Sequence, residues 1–310
     1  MANALLKRGD MQRAALVLIL LVSSYAHAAT PIVGGSRVSW KEWPDVVGVI
    51  GAGGRCTGTL VAPDVVLTAG HCIDLEPHTV VTHADDLGPG ASGQRIAVKW
   101  SRAYPNWAER YDIGVVVLEH VARTPPRAIA SACVLNKALP HAAVTIVGFG
   151  LISPEGDDAN TRLHAASIGV TDAFCTGSPG CLASARPNGE FAAGGRGTDS
   201  CFGDSGGPAY LRTPAGTALA GVVSRGLDVI GPPCSNGGIY VRADKVVAWI
   251  ESVTERDLTR MDCPRPADEP GADEEETDGC ASHRGGSWAS ALVLLALLAV
   301  KPAASWRRSR

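Results

Sequence analysis

The stretch Asp199-Ser200-Cys201-Phe202-Gly203-Asp204-Ser205-Gly206-Gly207-Pro208 sets a serine among small residues, with a carboxylate beside it. A hydroxyl is a weak nucleophile at neutral pH and needs a base within hydrogen-bond reach, itself held by a third group. Ser205 is the candidate nucleophile, and the glycines at 203, 206 and 207 leave room for a substrate carbonyl to approach the peptide plane. Alone, the loop also reads as an ordinary turn, because Gly, Ser and Asp are common turn residues. Two upstream stretches offer the missing parts. Thr68-Ala69-Gly70-His71-Cys72 follows the apolar runs Thr59-Leu60-Val61 and Val65-Val66-Leu67, which puts His71 at a strand end. Asp112-Ile113-Gly114-Val115-Val116-Val117-Leu118 puts a carboxylate at the start of another buried strand, where an unpaired charge is costly. Each has a plain structural reading by itself. Together they supply nucleophile, base and orienting acid.

With Ile32-Val33-Gly34-Gly35 upstream, and in the order His, Asp, Ser, these motifs closely resemble those of the chymotrypsin-like (trypsin-fold) serine endopeptidases. The resemblance covers roughly residues 32 to 256. It implies an all-β fold of two six-stranded antiparallel β-barrels, with the active site between them and a short C-terminal helix. By resemblance, His71 takes the proton of Ser205, Asp112 orients the imidazole, and the backbone N–H groups of Gly203 and Ser205 form an oxyanion hole. Ser224 resembles the serine that supports the triad aspartate. Asp199, six residues before Ser205, matches the position that selects arginine or lysine, and Gly226 and Gly238 match the pocket walls. Proteolysis would free the amine of Ile32 to form a buried ion pair with Asp204. The resemblance also suggests disulfides Cys56–Cys72, Cys175–Cys181 and Cys201–Cys234. Cys133 and Cys263 then remain, and could staple the C-terminal end of the domain to its middle.

Three positions depart from the family pattern. Pro31 precedes Ile32 where Arg or Lys is usual, so self-activation at that bond is not expected, and trimming by an aminopeptidase or proline-directed peptidase is. Arg225 replaces a tryptophan beside the upstream substrate residues, and its charge leads to an expected preference for acidic or polar residues there. Phe202 adds apolar surface at the pocket mouth.

The elements that must position these groups follow from a strand-and-turn rhythm. From Val46 to Val66 apolar runs alternate with Gly and Pro breaks, Leu87 to Val98 continue them, and Tyr104-Pro105-Asn106-Trp107 turns into the Asp112 strand. Ala142 to Gly150 and Leu219 to Val223 read as strands of the second barrel, and Lys245 to Val253 as a helix packed through Val246, Val247, Trp249 and Ile250. The chain of 310 residues, with 36 glycines and 20 prolines, suits one all-β unit with tails. A net charge of -3 gives no basic surface for nucleic acid. His78, His83, His120, His141 and His164 show no zinc-ligand spacing, and no metal or cofactor is expected.

Residues 1–28 read as a signal peptide, with Lys7, Arg8 and Arg13 ahead of the apolar Ala14 to Val22 and a small-residue site at Ala26-His27-Ala28. A membrane anchor is the weaker alternative, and Met11 is an equal candidate for the start. Residues 29–31 form a short propeptide, and 257–279 an acidic Pro-rich linker. In 280–310, Gly279-Cys280 is followed by the apolar Trp288 to Val300 and the basic Arg307-Arg308-Ser309-Arg310. This arrangement resembles C-terminal sorting tails of the myxobacterial type; an uncut, marginal membrane anchor is the other reading. Nine cysteines fit an exported chain. The expectation is therefore a secreted or surface-attached endopeptidase. Its partners would be protein or peptide substrates with Arg or Lys at the cleaved bond, an activating peptidase, a C-terminal sorting enzyme and, through the tail, a membrane. The competing expectation is a catalytically silent binding or adhesion module.

Overall fold

The computed structural model describes residues 32–263. The expected signal peptide, propeptide, sorting tail and Cys280, with most of the expected linker, lie outside the described residues. Among the described residues no helix is long and apolar enough to cross a membrane.

A short strand β1 (Ser36–Arg37) leads into the first barrel, built from β2 (Val46–Gly51), β3 (Gly54–Ala62), β4 (Val65–Thr68), β5 (Pro77–Thr82), β6 (Gln94–Ala103) and β7 (Gly114–Leu118). These six close in the order β2-β3-β4-β7-β6-β5. Val47, Val49, Leu60, Val66, Val80, Ile96, Val116 and Leu118 alternate inward to fill it. Strands β3, β4 and β7 are buried along nearly their whole length, because their outer faces turn toward the second barrel.

The crossover carries β8 (Ile129–Ala130) and a helix α1 (Ala132–Ala138). The second barrel follows: β9 (Ala143–Gly148), β10 (His164–Asp172), β11 (Glu190–Ala193), β12 (Pro208–Thr213), β13 (Gly216–Gly226) and β14 (Gly238–Arg242). They run β12-β9-β10-β11-β14-β13, and pairing of β12 with β13 closes the ring. Leu135, Ile146, Ile168, Phe191, Leu211, Val223 and Tyr240 form its core. A third apolar cluster, including Trp43, Leu67, Ile113, Val115, Val147, Phe149, Tyr210 and Val222, lies where the barrels meet. Each such side chain, fully buried, contributes about 1.5–3 kcal/mol. At that seam Asp45, 1% exposed, accepts from Arg127 Nε (3.0 Å) and from the Tyr210 hydroxyl, so its buried charge is paired.

Helix α2 (Val247–Thr254) buries Val247 and Ile250. The folded body continues past residue 256, where the linker was expected to begin. Strand β15 (Arg260–Met261) pairs in parallel with β8, and Cys133 is bonded to Cys263. The other bridges are Cys56–Cys72, Cys175–Cys181 and Cys201–Cys234.

Candidate active site

His71 sits just beyond the end of β4, in a loop closed by Cys56–Cys72. Asp112 sits just before β7, the antiparallel neighbour of β4, so the ladder that pairs Thr68 with Gly114 brings the two together. Asp112 grips the histidine twice: Oδ2 lies 2.8 Å from Nδ1, and Oδ1 accepts the His71 backbone N–H at 2.9 Å. The Ser224 hydroxyl, from β13 of the other barrel, donates to Asp112 Oδ2 at 2.7 Å. Burial pushes the Asp112 carboxyl up, but the hydrogen bond and charge of His71, together with Ser224, outweigh it and hold the group below the usual carboxylate range. An ionised Asp112 only accepts, so Nδ1 carries a hydrogen, and in the neutral imidazole Nε2 is then the acceptor.

Ser205 comes from the turn before β12, on the second barrel, and lines the same cavity of about 480 Å³ as His71, Asp112, Ser224, Gly226, Phe202 and Trp107. Trp107, in a short 3-10 turn, packs beside the imidazole with ring centroids 6.1 Å apart. Gly203 has φ +96°, a left-handed conformation that turns the peptide planes on either side of it. Among the described residues no backbone carbonyl accepts the N–H of Gly203 or Ser205.

The turn is held by a residue that the sequence motifs did not single out. Thr57 on β3 is fully buried; its hydroxyl donates to Gly203 O (2.8 Å) and accepts from Phe149 N–H (3.2 Å), while its own N–H donates to Ser205 O (2.9 Å). Thr57→Val keeps the shape and removes both hydroxyl bonds. Leaving those backbone groups unpaired is expected to cost about 1–3 kcal/mol, read as a lower denaturant midpoint; an unchanged midpoint would deny Thr57 this role.

Asp199 lies behind the cavity wall. It is 2% exposed, and its oxygens accept Ser200 N–H (2.8 Å) and Gly237 N–H (2.7 Å). Burial, only partly offset by these bonds, pushes its carboxyl up to about 6. Among the described residues no cation pairs with it. A Cβ on Gly238 would stand 3.2 Å from Ser200 Oγ and 3.4 Å from Asp199 Oδ1, so a side chain there would crowd both. Asp204 is 1% exposed, with Gly150 N–H (2.8 Å) and Cys201 N–H (2.9 Å) on its two oxygens, and burial pushes it up to about 7. Ile32 is buried, and in the uncleaved chain its nitrogen is a peptide nitrogen, so no ion pair with Asp204 is formed. Sulfur atoms of Cys56 and Cys72 lie near His71, and those of Cys175 and Cys181 near Glu190, but all are in disulfides and none is a thiolate ligand.

Arg225 departs from its expected part. Its guanidinium is paired with the buried Glu190 at 2.8 Å and does not stand as a free charge in the cleft. The preference for acidic residues upstream of the cleaved bond, which rested on that free charge, loses its basis.

A sequence model of the family described as Trypsin matches residues 32–250. The chain is 30% identical over 224 residues to the trypsin of Saccharopolyspora erythraea, covering 68% of this chain and 92% of that one. It is 30% identical over 267 residues to kallikrein-15 of Saguinus oedipus, covering 78% and 98%. With the clotting factor G beta subunit of Tachypleus tridentatus it shares 26% identity over 252 residues, or 73% and 80% of the two chains. Two closed six-stranded barrels and a family match over most of the described residues lead to one conclusion: this chain belongs to the trypsin family of serine proteases.

Proposed function

We propose that the chain is an exported serine endopeptidase that hydrolyses peptide bonds after arginine or lysine through an acyl-enzyme. The observation that carries this reading is the run of bonds from Ser224 through Asp112 to His71, ending in the cavity that Ser205 also lines. In the proposed reaction Ser205 Oγ attacks the carbonyl carbon, and His71 Nε2 takes the hydroxyl proton. Asp112 stabilises the imidazolium, and the N–H groups of Gly203 and Ser205 hold the oxyanion. His71 then gives its proton to the leaving amine, and water repeats the sequence to free the acid. Selection of a basic side chain is supported by Asp199, a buried carboxylate that no cation pairs with among the described residues. Four disulfides support a place outside the cytoplasm.

Activation is proposed to follow release of the Ile32 amine, which gives Asp204 a cation; among the described residues none pairs with it. A carboxyl raised from 3.8 to about 7 favours its protonated form. Its stabilising contribution is therefore fully present below 3.8 and lost as pH rises through 7, a difference of about 4 kcal/mol. The chain that still carries residues before Ile32 is expected to melt progressively lower from pH 5 to pH 8. The chain that begins at Ile32 is expected to lose much of that slope. Parallel melting curves for the two forms would count against the pairing.

The proposal is tested with chromogenic peptides ending in Arg, Lys, Phe or Ala, given to protein shown to begin at Ile32. Hydrolysis of the first two is expected to be much faster than that of the others. Silence from all four would leave the binding-module reading in its place.

A further inference from the structure

Arg225 stands in the cavity wall next to Ser224, with its side chain 30% exposed. Its guanidinium is held by four hydrogen bonds. Nε and Nη2 donate to Gly180 O (3.2 and 2.7 Å), Nη2 also to Glu190 Oε1 (2.8 Å), and Nη1 to Ser224 Oγ (3.0 Å). The Glu190 side chain is 1% exposed, and its other oxygen accepts Leu182 N–H at 2.9 Å. Gly180 and Leu182 flank Cys181, whose bridge to Cys175 closes their loop. A disulfide loop, a buried carboxylate and a guanidinium thus form one unit whose free end is a hydrogen-bond donor aimed at Ser224.

The direction of every bond is forced. A guanidinium only donates, an ionised carboxylate only accepts, and a serine hydroxyl has one hydrogen to give. Ser224 must therefore accept from Arg225 and give its single hydrogen to Asp112 Oδ2, the oxygen that also holds His71 Nδ1. We propose that Arg225, anchored by Glu190, is a positioning residue that fixes the Ser224 hydroxyl and thereby steadies the Asp112 carboxylate against His71. The inference rests on the catalytic reading above. Without the guanidinium the hydroxyl can rotate away, and Asp112 Oδ2 keeps the imidazole bond alone. With it, each bond in the series polarises the next. Glu190 balances the charge, so the unit acts through orientation and adds no net charge beside the imidazole.

Replacing Arg225 alone strands Glu190 in the interior and threatens the fold. The pair is therefore removed together, as Arg225→Met with Glu190→Gln, which leaves an acceptor for Leu182. In secreted protein beginning at Ile32, this double variant is expected to lower kcat about tenfold with KM within about twofold, a coupling of ordinary size for groups in one network. In a Ser224→Ala background the same double change is expected to alter kcat less than about twofold, because the hydroxyl it acts through is gone. Arg225→Lys, which keeps a donor and a cation for Glu190, is expected to hold kcat closer to wild type than the double variant does. An equal loss with and without Ser224 overturns the coupling while leaving catalysis by Ser205 intact, and so does a change confined to KM. A wild-type protein that hydrolyses none of the peptides overturns the catalytic reading and this proposal with it.

Discussion

Ser205→Ala is expected to lower kcat by about a millionfold while leaving the melting temperature and the four disulfides unchanged. The fold uses Ser205 through its backbone, whose carbonyl accepts Thr57 N–H at 2.9 Å, and the residue lines the cavity. Removing one oxygen therefore deletes the proposed nucleophile and little else. His71→Ala is expected to cost a similar factor, and the double variant no more than either alone, because base and nucleophile serve a single step. The comparison uses kcat for an arginine peptide, with active sites counted by a burst titrant in the wild type. A Ser205→Ala protein that keeps a hundredth of the wild-type rate would assign the chemistry to some other group.

The next largest effect is expected at Asp199. Asp199→Ser removes a buried carboxylate that a basic substrate side chain would otherwise neutralise. The kcat/KM for arginine and lysine peptides is expected to fall about 10²–10³-fold, the scale of losing one partner of a buried ion pair. Peptides ending in Phe or Ala carry no cation and are expected to be spared. The wild-type enzyme should show the same discrimination fade with acid. Burial holds the free Asp199 carboxyl at about 6, so the attracting charge is present above that pH and is lost as pH falls through it. The ratio of kcat/KM for an arginine peptide to that for a phenylalanine peptide, measured from pH 8 to pH 5, is expected to drop toward acid. Taking the ratio cancels any titration that affects both substrates. A flat ratio would remove Asp199 from selection.

Much of the fold was legible because its signals are local. Apolar runs broken by Gly and Pro from Val46 to Val66 match β2 to β4, the strand read at Ala142 to Gly150 matches β9, and the apolar face of Val246, Val247 and Ile250 marks α2. The helix α1 went unread. Seven residues carry only one fully buried side chain, Leu135, so no periodicity stands out; Ser131 at its N-cap and Lys137 in its last turn were the available signals.

The groups around the motifs were harder to read, because their meaning depends on partners distant in sequence. Arg225 looked like a free charge because Glu190 lies 35 residues away on a neighbouring part of the second barrel, and nothing local marks that glutamate as buried. Thr57 reads as one more β-branched strand residue until β3 is seen against the Gly203 turn, 146 residues on. Asp199 could be named from its distance to Ser205. Its place behind Ser200 and Gly238, with two backbone donors on its oxygens, is a property of the folded loop alone.

The central claim is that Ser205 is an activated nucleophile, and the most direct test is covalent. Protein shown to begin at Ile32 would be treated with a fluorophosphonate, digested and mapped. We predict one adduct, on the peptide that contains Ser205, formed in wild-type protein and lost in His71→Ala. No adduct in correctly processed, folded protein, or equal labelling with and without His71, would contradict the account.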